Sequence, residues 1–415
     1  MPLRRVNGTL QIDDIPIPKI VEFVGTPVYA YSWQTLEERY HWFESCFSGI
    51  PHRTHYAVKA NSNLAILRRL AELGAGFDIV SGGELERVLR SGAPPAHVVY
   101  SGVGKSTEEL SFALKTGIGC INVESTSEFD RVSQLGKTLN IRPNIAFRVN
   151  PEIDADTNPY LATALSNSKF GLSEKEVLET ACRSKSSPHI NVIGVACHLG
   201  SQISSVNPYG TAIADLLKLV DQLQEIGMDL HYINVGGGFG ISYDLEKELQ
   251  IAELASVLSK QLANRSQVLC LEPGRFLIGP AGTLISRVEY LKVNDQNTRP
   301  NFAVVDAAMN DLIRPALYKA RHDIEIVLDS NAPCKKWNIV GPVCESADFL
   351  GLDRLLSISE GDLIAIKDVG AYGFVQSSNY NSRTRVAEVL VDGSKMNLIR
   401  ERETMDDQLR RERFA

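Results

Sequence analysis

The chain has 415 residues, 44% hydrophobic and 22% charged, with a formal net charge of −7. It is too long for one ordinary core and would suit a barrel of roughly 250 residues plus a smaller domain. The acidic balance gives no support for a nucleic-acid partner, no apolar run approaches the roughly 18 residues of a membrane span, and Met1-Pro2-Leu3-Arg4-Arg5 leads into no signal-peptide core. Seven scattered cysteines (46, 120, 182, 197, 270, 334, 344) include no C-x-x-C pair, so neither a disulfide framework nor a metal site is signalled and the cytoplasm is the expected compartment.

Residues 1–31 read as loop and short strands, including the run Val28-Tyr29-Ala30-Tyr31. A helix is expected from about Gln34 to Phe47, capped by Ser32. Short apolar runs then recur at 54–58, 76–80, 97–100, 118–123, 144–149, 192–196, 231–235 and 267–271, with helical patterns between them. Ser81-x-x-Glu84 and Ser106-x-x-Glu109 read as capping boxes, and Gly74 and Gly92 fall where helices should stop. Eight strand–helix alternations imply a parallel, TIM-like (β/α)8 barrel over 25–279, with the 34–47 helix available for the eighth helical place. From about 280 the segments Leu284–Val293, Asn301–Val305, Ile324–Leu328, Trp337–Val340, Asp362–Ile366 and Val386–Leu390 are β-like. They imply an all-β domain, barrel or sandwich, over 280–415 that residues 1–24 join. The charged tail from Arg400 reads as a surface helix.

Tyr56-Ala57-Val58-Lys59-Ala60-Asn61 puts a lysine at the end of the first such strand. Taken alone, Lys59 is either a lysine reaching past the strand end into water or one with a covalent task. Gly102-Val103-Gly104-Lys105-Ser106-Thr107 invites a P-loop reading, but the pattern needs glycine at 99, where Val99 stands. Gly236-Gly237-Gly238-Phe239-Gly240 lacks the glycine at 241 that a Rossmann turn requires. It is either a tight turn or a phosphate nest. Glu272-Pro273-Gly274-Arg275 closes the eighth strand and His198 the sixth, while Asp78, Ser81 and Arg148 also fall at strand ends. Polar side chains converging on one mouth fit one cofactor. Pyridoxal 5'-phosphate needs a lysine, a phosphate nest and a partner for its ring nitrogen, and an acidic partner such as Glu272 keeps that nitrogen protonated.

These motifs, with Phe77-Asp-Ile-Val-Ser-Gly-Gly-Glu84, Lys169-Phe-Gly171, His198-Leu-Gly-Ser-Gln-Ile203, Met309–Tyr318, Gly341–Ser346, Gly370–Gly373 and Ser378–Asn381, occur in an order that resembles the fold-type III pyridoxal-phosphate-dependent decarboxylases. The resemblance covers nearly the whole chain. It implies that Lys59 carries the cofactor, that His198 stacks on its ring, and that Ser201 and Gly236–Gly238 hold its phosphate. Asp78, Gly274 and Arg275 complete the cofactor site, and Glu272 pairs with the ring nitrogen. It implies Tyr380 at cofactor and substrate, Arg275, Arg314, Tyr318 and Glu345 at substrate, and Cys344 as proton donor. It further implies a homodimer in which Cys344 and Glu345 reach the partner's barrel. The chain departs from the family's usual motifs at Thr157-Asn158-Pro159, Thr163-Ala164, Ala308 and Thr384. The substrate expected is meso-2,6-diaminopimelate, because Glu345 suits a distal ammonium and an arginine fork a distal carboxylate. The alternatives are ornithine, lysine or carboxynorspermidine as substrate, or a pyridoxal-phosphate-binding protein without turnover. The six other cysteines are expected to be small buried hydrophobes.

Overall fold

The computed structural model of the chain describes residues 3–154, 168–185, 187–243, 247–294 and 299–414. The departures at 157–159 and 163–164 lie outside them. The chain divides into two units, one of residues 41–241 and 247–276, the other of 1–40, 242–246 and 277–415.

In the first unit eight strands close into a barrel: His52–Ala57, Gly76–Ile79, Val98–Tyr100, Cys120–Val123, Asn144–Arg148, Asn191–Ala196, Tyr232–Asn234 and Val268–Leu271. Every pairing is parallel, and the eighth strand closes on the first through Leu269–His52, Cys270–Arg53 and Leu271–Thr54. The strands are short apolar runs because helices cover them on one side and the barrel interior on the other. Val99, Cys120, Ala146, Ile193, Tyr232 and Cys270 fill part of that interior. Seven helices return the chain: Leu64–Glu72, Gly82–Arg90, Thr107–Thr116, Thr126–Leu139, Glu174–Ser184, Asn207–Glu225 and Ile251–Leu262. Only Arg275–Ile278 follows the eighth strand as helix. Helix Trp33–Phe47 precedes the first, and its Phe43 ring packs on Phe239 (5.6 Å) and Phe276 (5.8 Å). Ser32 Oγ caps that helix at Thr35 N (3.0 Å).

The helix starts obey the sequence with one exception. Ser106 and Glu109 form a full capping box. Ser81 caps at Glu84 N, but Glu84 sends its carboxylate to Val80 N (2.7 Å) instead of back to the cap, so that box is half made.

The second unit holds one mixed sheet in the order Phe349–Leu356, Lys335–Val340, Asn301–Val305, Gly282–Lys292, Val28–Ser32, Ala387–Asp392, Lys395–Arg400. Leu363–Ile366 also pairs with Gly282–Lys292 and carries Ile324–Ile326. Leu3–Val6, Thr9–Ile12 and Ile15–Pro16 form a small sheet of their own. Leu10, Ile12, Ile17, Ile20, Val28, Ile285 and Val389 share one core. Two strands here, Phe349–Leu356 and Lys395–Arg400, are absent from the sequence reading, as is helix Ile17–Val24. The tail's only helix is the five-residue Met405–Leu409.

Candidate active site

Lys59 sits in a single 3-10 turn, Val58–Ala60, one step beyond the first barrel strand rather than on it. Its Nζ donates to Asp78 Oδ2 at 2.9 Å, and Asp78, at the second strand, is fully buried. Gly274 makes this approach possible. A Cβ there would lie 2.9 Å from Ala57 Cβ and 3.0 Å from Ala60 Cβ, so only glycine lets the Glu272–Arg275 turn close against the lysine turn.

The triple glycine follows the seventh strand. Gly236 and Gly238 have φ of +73° and +87°, and a Cβ on Gly237 would stand 2.0 Å from Glu272 O. Gly236 N donates to Asn234 Oδ1 (2.7 Å) and Gly237 N to His198 Nδ1 (3.2 Å). The N–H groups of Gly236 and Gly237 are thus bonded within the protein. The neighbouring loop locks to it through Ile203 N to Gly238 O (2.9 Å) and Gly240 N to Ile203 O (3.0 Å). Arg275 Nη2 donates to Ser201 Oγ (2.9 Å), which brings the phosphate candidates of two strand ends together.

Glu272 is buried and accepts from Asn234 Nδ2 at 2.6 Å. Burial, and then the charge of Asp78, push its carboxyl well above the usual carboxylate range, against Lys59, Asn234 and Arg148. Burial, with Lys59 and Arg148 nearby, holds His198 well below the usual imidazole range. The ring is thus neutral, with Nδ1 as acceptor and the proton on Nε2. Lys59, Asn122, Arg148, Cys197, His198 and Glu272 are among the residues lining a cavity of about 390 Å³.

Asn122 and Asn234 of this mouth were not singled out in the sequence, and Arg148 only for its place at a strand end. Asn122 lines the cavity with a buried Oδ1 that has no partner among the described residues. Arg148 donates to Glu124 Oε1 (2.6 Å), and Glu124 also accepts from Gly102 N (2.9 Å) and Gly171 N (3.1 Å). Asn234 joins Gly236 to Glu272. A buried amide or ion pair reads in sequence as an ordinary turn polar; the position of Arg148 at a strand end was the one available signal. Lys105, of the rejected P-loop, is buried and donates to Gly102 O (2.7 Å), Asn122 O (2.8 Å) and Glu128 Oε1 (2.6 Å), so it is a brace of the mouth.

The remaining candidates belong to the second unit. Tyr380 donates its hydroxyl to Glu345 Oε1, and that bond raises the phenol pKa. Cys344 N donates to Asn381 Oδ1 (3.1 Å), so Cys344, Glu345 and Tyr380 form one exposed group. Arg314 is not the surface ion pair that a charged residue suggests. It is buried at the start of helix Arg314–Tyr318, donates to Tyr243 Oη (2.8 Å), and lies 3.2 Å from His322 Nε2. Tyr318, at the other end of that helix, is partly buried. All seven cysteines are free; Cys120, Cys197 and Cys270 are buried as expected, but Cys46 is half-buried and Cys182 and Cys334 are exposed.

A lysine paired to a buried acid, a glycine cradle, a neutral histidine and a buried carboxyl around one cavity define a barrel site built for pyridoxal phosphate. The cradle would be filled by any Cβ, and Asn122 offers a buried acceptor without a partner among the described residues, so the residues fit the group. The family model of the pyridoxal-dependent decarboxylases, pyridoxal binding domain, matches residues 33–279. A diaminopimelate decarboxylase of Neisseria meningitidis is 45% identical, covering 97% of this chain and 99% of its own length. The Helicobacter pylori diaminopimelate decarboxylase complexed with L-lysine superposes with a TM-score of 0.91 at 38% identity, covering 95% of this chain and 98% of that one. That of M. jannaschii, also with L-lysine, gives 0.94 at 34%, covering 100% and 98%. The chain belongs to the pyridoxal-dependent decarboxylases and, within them, to the diaminopimelate decarboxylases. Its cofactor is pyridoxal phosphate.

Proposed function

We propose that the protein removes carbon dioxide from meso-2,6-diaminopimelate to give L-lysine, the last step of lysine biosynthesis, as a cytoplasmic homodimer. The observation that carries this reading is the 45% identity to diaminopimelate decarboxylases over 97% of the chain. When bound, pyridoxal phosphate supplies the sink for the electron pair left as carbon dioxide departs.

The chain's own groups do the rest. Lys59 holds the cofactor through its amine, and Asp78 keeps that amine oriented and its charge balanced. Gly238, Gly274, Ser201 and Arg275 bind the phosphate, with Gly236 and Gly237 giving the turn its shape. Glu272 would pair with the ring nitrogen and keep it protonated. His198 would stack on the ring, and as a neutral imidazole it would add no charge there. Glu345 binds the distal ammonium, Arg314 the distal carboxylate, and Arg275, Tyr318 and Tyr380 complete the substrate site. Cys344 returns a proton from its Sγ–H to the carbon that lost the carboxylate. Cys344 and Glu345 serve the partner's barrel, which makes the dimer the catalytic unit. Incubation of the loaded enzyme with meso-diaminopimelate should release carbon dioxide and L-lysine in equal amounts; no release from a protein that carries the cofactor overturns the proposal.

A further inference from the structure

Asn234 ends the seventh barrel strand, is fully buried, and has every polar atom of its side chain engaged. Its Oδ1 accepts from Gly236 N (2.7 Å), and its Nδ2 donates to Glu272 Oε1 (2.6 Å) and to Tyr232 Oη (3.1 Å). One oxygen and two N–H bonds are thereby used, so the amide has one workable orientation. Rotated by half a turn, it would set an amine against the Gly236 N–H and an oxygen against a carboxylate. Gly236 is fixed from its other side as well, because Glu272 N donates to Gly236 O (2.8 Å). The glycine turn and the carboxyl thus meet in a closed ring of bonds whose only side-chain link besides Glu272 is Asn234.

We infer that Asn234 is a positioning residue that sets, through one amide, both the phosphate-binding glycine turn and the carboxylate of Glu272. The inference rests on the cofactor assignment and not on the substrate, so it stands or falls apart from the proposal of diaminopimelate. The charged groups around Glu272 are Asp78, Lys59 and Arg148. Asn234 differs from them in bonding both the Glu272 carboxyl and the backbone of the glycine turn. Tyr232 is the floor under the amide, and its hydroxyl takes the less consequential of the two N–H groups.

Three variants test it: Asn234→Leu, Asn234→Asp and Tyr232→Phe. The readouts are the dissociation constant of pyridoxal phosphate from the apoprotein, the visible band of the loaded protein between about pH 6 and 9, and the melting temperature of the apoprotein. Leucine keeps the branching and the number of side-chain heavy atoms and loses all three bonds; it should weaken cofactor binding about tenfold or more, the effect of one lost bond to a charged group. Aspartate keeps the acceptor for Gly236 N but turns an oxygen toward Glu272. It should retain more affinity than leucine while shifting the band and its pH dependence. Tyr232→Phe should leave affinity and band within about twofold, since the amide stays fixed by its other two bonds. Wild-type affinity and band in Asn234→Leu overturn the inference, as does an equal loss in Tyr232→Phe, which would make the effect one of core packing. Should Asn234→Leu fail to fold, an unshifted band in Asn234→Asp overturns it.

Discussion

Two histidines and a lysine carry the clearest consequences at the scale of single residues. Lys59 is the only proposed covalent anchor, so Lys59→Ala should abolish the cofactor's visible band after gel filtration while the circular-dichroism spectrum is kept; a band that survives removes Lys59 from that role. Cys344→Ala should lower kcat by about 100-fold or more with little change in cofactor affinity, the cost of removing a positioned proton donor. His55, buried in the first barrel strand, has its pKa lowered to about 4, chiefly by burial. His198 is shifted the same way. A base whose folded pKa is depressed binds fewer protons in the folded state than in the unfolded one, so stability falls as pH drops below the unfolded value of about 6.5. The loss for His55 saturates near its folded pKa of about 4 and amounts to about 3 kcal/mol at most. Urea midpoints between pH 7 and 5 measure it; His55→Gln should flatten part of the slope, and a slope it leaves unchanged would assign the acid sensitivity elsewhere.

Elements of the barrel were legible in the sequence because its strands are buried over most of their length and five of the seven returning helices start at a capping side chain. Cys120–Val123 is apolar but for one residue, and Ser106–Glu109 closes its box as written. The second unit hid more. Lys395–Arg400 has no buried residue and Phe349–Leu356 mixes buried with charged or exposed positions, so their sequences read as turns and tails rather than strands. The site divided along the same line. Lys59, His198, Glu272 and the glycines carry chemistry in their residue type, whereas Asn234 and Glu124 matter only through what they hold. Lys105 is the reverse case, a suggestive motif whose lysine is spent on two carbonyls and Glu128. Lys105→Met should therefore destabilise the barrel by about 3 kcal/mol, the cost of leaving a buried acid unpaired, as read by chemical denaturation. A neutral result would mean that Glu128 finds water or protonates. Gly237→Ala, whose Cβ would stand 2.0 Å from Glu272 O, should cost cofactor binding outright.

For the whole molecule the central proposal is a dimer that pools one chain's Lys59 with the other's Cys344. Mixed in equal amounts and re-associated, Lys59→Ala and Cys344→Ala should recover about a quarter of wild-type activity, since half the dimers then carry one intact site. No recovery would confine each site to its own chain. The measurement that bears most directly on the function is kcat/KM compared across meso-diaminopimelate, L-lysine and L-ornithine on the same loaded enzyme. With Arg314 committed to a distal carboxylate and Glu345 to a distal ammonium, meso-diaminopimelate should be preferred by about 100-fold or more, because the other two bring no distal carboxylate for Arg314 to bind. Equal or better turnover of L-lysine or L-ornithine would contradict the account.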